Sequence, residues 1–446
     1  MSSYKDLIDN LTSKSVKSAQ VAVDYLENDM LTHVENMLSQ VHGVKEWRKR
    51  GFLPIFENPT RIMVERSSKS YKEAPKRSVV VGESTSEGQT EIYNDLLKTT
   101  NINFIGQDLD ARARLLKASI LLPQVDMDGQ GRGSGKINLS VLSRNNCDIK
   151  INRMTGEIEG LLYTSGIVGL HDGQIYHHWT PELITDIEGD KVTGERENPY
   201  GMVPAAILHD TRPPASGKLW SYPSWEQLIQ FSDGLNLFNT EALYNARFAM
   251  VGAPVTNMKI PEGTVIGIGA PLKLGDSAGG DTPFFEYSSP SANVTEFMAW
   301  LQPFKEAIAD EMGVNLNYAG GGSAESGFKL IVEEFENIEL RQQRIIAAKQ
   351  FEQDLYHVFA VMSQVHDWKL DINGIGVADF TEPALPVNKI EDWTIAKEQL
   401  ALGILSPEEY WQMQDPDLTI EQLAVKRRAY DKSRGLAATV PSFEGV

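Results

Sequence analysis

From Gly327 to about His366 the chain contains no proline and no further glycine, and the pattern reads as one helix of more than 35 residues. Ile331, Phe335, Ile338, Ile345, Leu355, Phe359 and Met362 fall near one face, while Arg341, Arg344, Glu352 and Asp354 lie off it. A helix of that length is expected to pack between neighbours rather than ride on a single globule. Just before it stands Gly313 to Gly322, with Gly320-Gly321-Gly322 at its centre. Three consecutive glycines have little backbone preference, so this stretch is expected to be a flexible loop.

The rest of the chain alternates between the two periodicities, which makes the fold class α+β. In the first 120 residues Val23, Leu26, Met30, Val34, Met37 and Val41 recur at steps of three and four and predict a helix with one apolar stripe. Further helices are expected over Ile92 to Leu97 and from about Asp108 to Ser119, with Ser67 to Gly88 as an irregular surface segment. From Ile120 to about residue 210 the segments alternate and are rich in β-branched residues, with turn signals at Met154-Thr155-Gly156, His171-Asp172-Gly173 and Glu188-Gly189-Asp190. An antiparallel sheet region is expected there. Ser224 and Gln227 have capping-box spacing and open a helix to about Met250, roughly 40 Å long. Residues 251 to 290 are rich in Gly and Pro and read as a small β-containing insertion. A helix from about Ser291 to Met312 carries Pro303, which should kink it. Pro386 to Arg434 reads as two or three short helices, followed by a loose tail.

Charge narrows the function. The 446 residues carry a net charge of −19, and no basic patch is visible. Tight DNA binding normally needs one, because phosphate neutralisation supplies most non-specific affinity. A channel through which DNA slides is a different case, since strong phosphate contacts would act as a brake. No run of about 18 apolar residues predicts a membrane span, and the polar first residues lack a signal-peptide core. The lone cysteine, Cys147, suits a reducing cytoplasm and is read as packing.

Several motifs fail on inspection. Residues 129–136, GQGRGSGK, miss the phosphate-loop pattern because Ile137 follows Lys136, and a glycine-rich hairpin tip is expected instead. Asp126-Met127-Asp128-Gly129 begins like a calcium loop but lacks the later ligands. His171, His177 and His178 form a local cluster, but His177 and His178 are neighbours in a strand, so they point to opposite faces and cannot share a metal. No nucleophile elbow, Cys/His pair or paired carboxylates emerge. No enzyme activity, cofactor or metal is expected.

Four fragments, in order, resemble the portal (head-to-tail connector) proteins of tailed double-stranded DNA bacteriophages. They are Asn198-Pro-Tyr-Gly-Met-Val-Pro204, Asp233-Gly-Leu-Asn236, Ser326-Gly-Phe-Lys-Leu330, and Leu385-Pro386 with Leu402-Gly-Ile-Leu-Ser-Pro-Glu408. The first is similar to a strand before the first stem helix, and the third to the opening of the long helix. Lys329 departs from the family's small residue. The resemblance covers residues 40 to 430 and implies the portal fold. Its parts would be a wing at 1–222 with a β-rich region at 120–210, a stem helix at 223–250, a clip at 251–290 and a second stem helix at 291–313. A tunnel loop at 314–326, a long wing helix with its following connection at 327–385, and a crown and tail at 386–446 complete it. The resemblance further implies a dodecameric ring at one capsid vertex of the virion, assembled in the host cytoplasm. Its partners would be the major capsid protein, scaffolding protein, a terminase motor, a head-tail adaptor and the double-stranded DNA passing through for genome packaging and ejection. The alternatives are another virion structural protein, such as a head-tail adaptor, or an enzyme using a cleft near His171 to His178.

Two sets of site residues follow. The tunnel loop would present Asn315, Asn317, Tyr318, Gly320, Gly321, Gly322 and Ser323 to the DNA. The stem helices carry Glu226, Asp233, Glu241, Glu296, Glu306, Asp310 and Glu311 against two bases, Arg247 and Lys305. Repeated around a ring, these acids would form a mostly negative sleeve, with repulsion screened beyond about 10 Å at 0.1 M salt.

Overall fold

A computed structural model describes residues 4–11, 13–43, 54–68, 70–127, 133–165, 174–189, 191–211, 219–220, 225–251, 253–259, 282, 284–288, 299, 303, 305–309, 327–380, 406–407, 410–411, 423, 426–427 and 430. The chain divides into two units, Met1–Thr381 and Glu382–Val446. In the second, every described residue from 407 on is helical, and Trp411 meets Tyr430 edge to face at 5.7 Å.

The first unit opens with α1 (Tyr4–Leu11), α2 (Lys14–Glu27) and α3 (Leu31–His42). The apolar stripe from Val23 to Val41 therefore spans two helices, not one. Asn28 takes the left-handed conformation at φ 66°, and Asp29 donates its N–H to Asp24 O at 2.7 Å, closing α2. Asparagine tolerates that conformation better than most residues, so the break is written into the sequence at a position the periodicity skips over. Val34 and Leu38 are fully buried, whereas Val41 is exposed. Next comes α4 (Pro59–Ser67), where Pro59 opens the helix and the Asn58 side chain accepts the Arg61 N–H at 3.0 Å.

The stretch expected to be irregular, Ser67 to Gly88, instead contains β1 (Lys76–Val81) and β2 (Ser84–Thr85). The partner of β1 is β13 (Ile375–Asp379), a strand the sequence reading did not place, with Lys76 opposite Asp379 and Val80 opposite Ile375. A strand whose only long partner lies about 300 residues away leaves little local trace. Helices α5 (Glu87–Lys98) and α6 (Ile102–Leu116) follow, each longer at its start than expected.

The described strands between residues 118 and 209 all pair antiparallel, as expected, but form two sheets. Strand β3 (Ala118–Met127) lies between β4 (Gly133–Leu142) and β10 (Ala206–His209). A five-stranded meander joins β5 (Cys147–Ile151), β6 (Ile158–Tyr163), β7 (Ile175–Trp179), β8 (Leu183–Glu188) and β9 (Lys191–Glu197). The β3–β4 hairpin pairs Met127 with Gly133, and the tip at 128–132 lies outside the described residues. Residues 198–204 form a turn rather than a strand. Asn198 Nδ2 donates to Thr180 O at 2.7 Å and to Met202 O at 2.8 Å.

Two long helices complete the unit: α7 (Trp225–Val251) and α8 (Gly327–His366), both close to expectation. Between them β11 (Ala253–Thr256) pairs antiparallel with β12 (Phe285–Ser288), and residues 303 and 305–309 are helical. The described side chains of α8 build the largest core. Phe351, Leu355, Tyr356, Phe359 and Met362 pack with Tyr71, Val79, Tyr93, Leu109 and Phe380. Strand β13 lies directly on the helix because Gly376 is bare. A Cβ there would stand 2.5 Å from Tyr356 Cβ. A second core holds α2, α3 and α4 against Trp225, Leu228, Ile229 and Phe231 of α7.

Candidate functional site

Helix α7 carries three of the four site residues that can be located, Glu226, Asp233 and Glu241. Asn315, Asn317, Tyr318, Gly320, Gly321, Gly322 and Ser323 lie outside the described residues, as do Glu296, Asp310 and Glu311. Glu306 is half-buried in the short helical stretch 305–309.

The three acids of α7 sit seven and eight residues apart, which keeps them near one helical face. That face meets the chain's own N-terminal helices. Glu226 Oε1 is 3.5 Å from Ser18 Oγ, which in turn accepts the Trp225 indole N–H at 3.0 Å. The Asp233 carboxylate accepts the Tyr25 hydroxyl at 2.6 Å and stands 3.0 Å through each oxygen from His33 Nε2. Glu241 lies 3.4 Å from His42 Nε2. The hydrogen bond to Asp233 raises the His33 pKa above its ordinary value, outweighing burial. Burial first, then Asp233, pushes the Tyr25 hydroxyl well above its usual range. From Trp225 to Ala246 the exposed positions of α7 are Gln227, Gln230, Gly234, Leu243 and Ala246, none of them charged.

A second ladder on α7 escaped the sequence reading. Ser232, Asn236 and Thr240, spaced four apart, are completely buried. Ser232 Oγ and Thr60 Oγ1 are 2.6 Å apart. Asn236 accepts the Glu57 N–H at 2.6 Å and donates to Glu57 O at 2.9 Å, and Thr240 Oγ1 accepts the Ile55 N–H at 3.1 Å. The segment 55–60 is thus bonded along the helix, which satisfies backbone groups that would otherwise be buried without partners. The i, i+4, i+8 recurrence of small polar residues was the available signal.

Helix α8 holds buried charge at Arg344 and Glu352, two of the positions read from the sequence as lying off its apolar face. Arg77 grips Glu352 through two bonds of 2.8 Å, and Tyr71 adds its hydroxyl at 3.0 Å. Arg344 donates to Ser67 O and lies 3.4 Å from Asp210, which also meets Arg114 and Lys117 at 3.0 Å each. Burial, then the nearby Arg114, lowers the Arg344 pKa. Next to this cluster Asp110 accepts the Ser70 N–H at 2.9 Å, and burial pushes its carboxyl up to about 6. Tyr200, from the turn 198–204, bonds His366 at the end of α8 at 2.8 Å.

An open groove of about 1540 Å³ runs between α8, the β5–β6 turn and β10, bringing together Gln350, Asp354, His357, Arg153, Glu157 and His209. Burial raises the Asp354 pKa and lowers that of His209 to about 4. In the meander His177 Nδ1 contacts Asp186 at 2.7 Å, while His178 lies on the opposite face close to Gly160. His171 lies outside the described residues. Among the described residues no group of three metal-binding side chains converges, and no helix is long and apolar enough to cross a membrane.

No family model and no curated protein matches the chain. Among solved structures, it is similar to a chain in the virion of a native gene transfer agent particle, with TM-score 0.43 and 14% identity over 82% of this chain and 92% of that one. It is also similar to a chain in the neck of an empty gene transfer agent particle, with TM-score 0.44, 14% identity and the same coverage. A likeness this distant does not by itself say what the chain does.

Proposed function

We propose that this chain is a portal subunit of a phage-like virion, a ring component through which double-stranded DNA passes, without catalysis of its own. The observation that carries the reading is the way the chain leaves and re-enters the helical layer after α7. Strands β11 and β12 pair Ala253 with Ser288 and Thr256 with Phe285, so both ends of the excursion are tied at one place. Asn257 reinforces the tie, accepting the Phe284 N–H at 3.0 Å and donating to Thr282 O at 3.1 Å. A helix, a pair of strands that ties the two ends of an insertion, and further helical residues at 303 and 305–309 fit the stem–clip–stem order that the resemblance implies.

On this reading the channel wall draws on exposed positions of α7 that carry no charge, because Asp233 and Glu241 are engaged within the subunit. Gln, Gly, Leu and Ala give phosphates no cation to hold, which suits sliding. The decisive experiment is negative-stain microscopy of the purified full-length chain, with mass measured by light scattering. Rings with a central hole are expected. Monomers at every concentration, or closed particles without a hole, would overturn the proposal.

A further inference from the structure

Helix α3, LTHVENMLSQVH, contains no lysine or arginine. Its only bases are His33 and His42, near its two ends, and both reach acids on α7: His33 to Asp233 at 3.0 Å and His42 to Glu241 at 3.4 Å. All the positive charge that α3 can offer to α7 is therefore carried by imidazoles rather than by ammonium or guanidinium groups. Val34 and Leu38 add apolar contacts in the second core.

The His33 contact sits in the first turn of α3, next to the break between the two helices. The left-handed Asn28 separates α2 from α3. The imidazole packs edge-on against the Tyr25 ring at 6.0 Å, and Tyr25 shares Asp233 with it. The charged groups acting on His33 are acids: Asp233 on α7 and Asp24 on α2. Glu27 and Asp29 lie close enough to act on Asp24, and from the segment before α4 Glu57 bonds through its backbone to Asn236, one turn along α7. His33 and Asp233 keep about a quarter of their side chains exposed, so protons reach them without unfolding.

We propose that the docking of α2 and α3 on α7 is a proton-controlled latch, closed when His33 is an imidazolium held by Asp233 and loosened when the imidazole loses its proton. The neutral ring can still donate one N–H, but it no longer offsets the carboxylate charge in a half-buried site. The direction follows from the raised pKa of His33. The stabilisation is present in full below the ordinary value of 6.5 and is lost as pH rises through the higher folded value. The device does not depend on the ring reading, because every partner lies within one chain.

The test uses the full-length protein labelled with carbon-13 histidine, together with hydrogen exchange followed by mass spectrometry and corrected for intrinsic exchange rates. His33 should titrate above the ordinary imidazole value, and Asp233→Asn should shift that titration down. Protection across residues 25–38 should fall severalfold over the same pH step. His33→Gln, which keeps a neutral donor toward Asp233, should remove the step. A His33 that titrates at or below the ordinary value overturns the latch, and so does an unchanged protection step in His33→Gln. If that variant fails to fold, the wild-type titration and its response to Asp233→Asn decide the matter.

Discussion

Helices α7 and α8 are held to the body of the first unit by opposite kinds of charge. Around α8 the bases are arginines, joined at Asp210 by Lys117, and Arg77 and Glu352 are only 6% and 2% exposed. A guanidinium stays charged at any ordinary pH and can bind both carboxylate oxygens at once, so this anchor is permanent and directional. Around α7 the bases are histidines, with His33 29% and Asp233 22% exposed. One region is fixed by charges that water does not reach. The other is held by charges that water can remove.

The largest effect should come from removing the permanent anchor. Glu352→Ala leaves the Arg77 guanidinium and the Tyr71 hydroxyl buried without a carboxylate, and a loss of about 3–5 kcal/mol is expected in denaturant unfolding. A loss under about 1 kcal/mol would erase the contrast between the two helices.

The α8 side also includes a titrating carboxyl, Asp110, and it should work against stability. Its folded pKa of about 6 lies above the ordinary 3.8, so its contribution is complete below about pH 3.8 and fades as pH rises through about 6. Asp110→Asn should flatten that decline, by on the order of 2 kcal/mol across the window. Unfolding midpoints measured from pH 4 to 7 would show it, and an unchanged slope would assign the decline to other groups.

The smallest effect sharpens the comparison most. Asp233→Ala should cost about 1 kcal/mol at pH 6, the figure expected for a half-exposed charged hydrogen bond after solvent screening. The cost should shrink as pH rises through the elevated pKa of His33. A cost equal to that of Glu352→Ala, or one independent of pH, would make the two anchors alike.

How much of this was legible follows from what each signal averages over. The span of α8 was readable because forty residues without an internal break leave no competing structure. Its charged positions misled, since Glu352 and Arg344 satisfy helical periodicity equally well as solvated residues or as buried partners of Arg77 and Asp210. A partner nearly 300 positions away leaves no mark beside the residue it completes. The same reason hid β13, and it hid the meaning of Asp233, whose spacing from Glu226 and Glu241 defined a face without saying what that face met. The polar ladder at Ser232, Asn236 and Thr240 differs, because its four-residue step was visible and only its buried state was not.

The pairing of β1 with β13 also orders events in time. Residues 76–80 emerge early in synthesis, and the strand opposite them, 375–379, is made only after the whole of α8. Until then β1 is an open edge with the short β2 on its other side, and the largest core lacks the helix that supplies Phe351, Leu355 and Phe359. Contacts this distant close late, because the entropy of the intervening chain must be overcome before they return anything. A ribosome that has not yet reached residue 375 therefore carries β1 without its long partner, and the first unit becomes a single body only once that strand has been made.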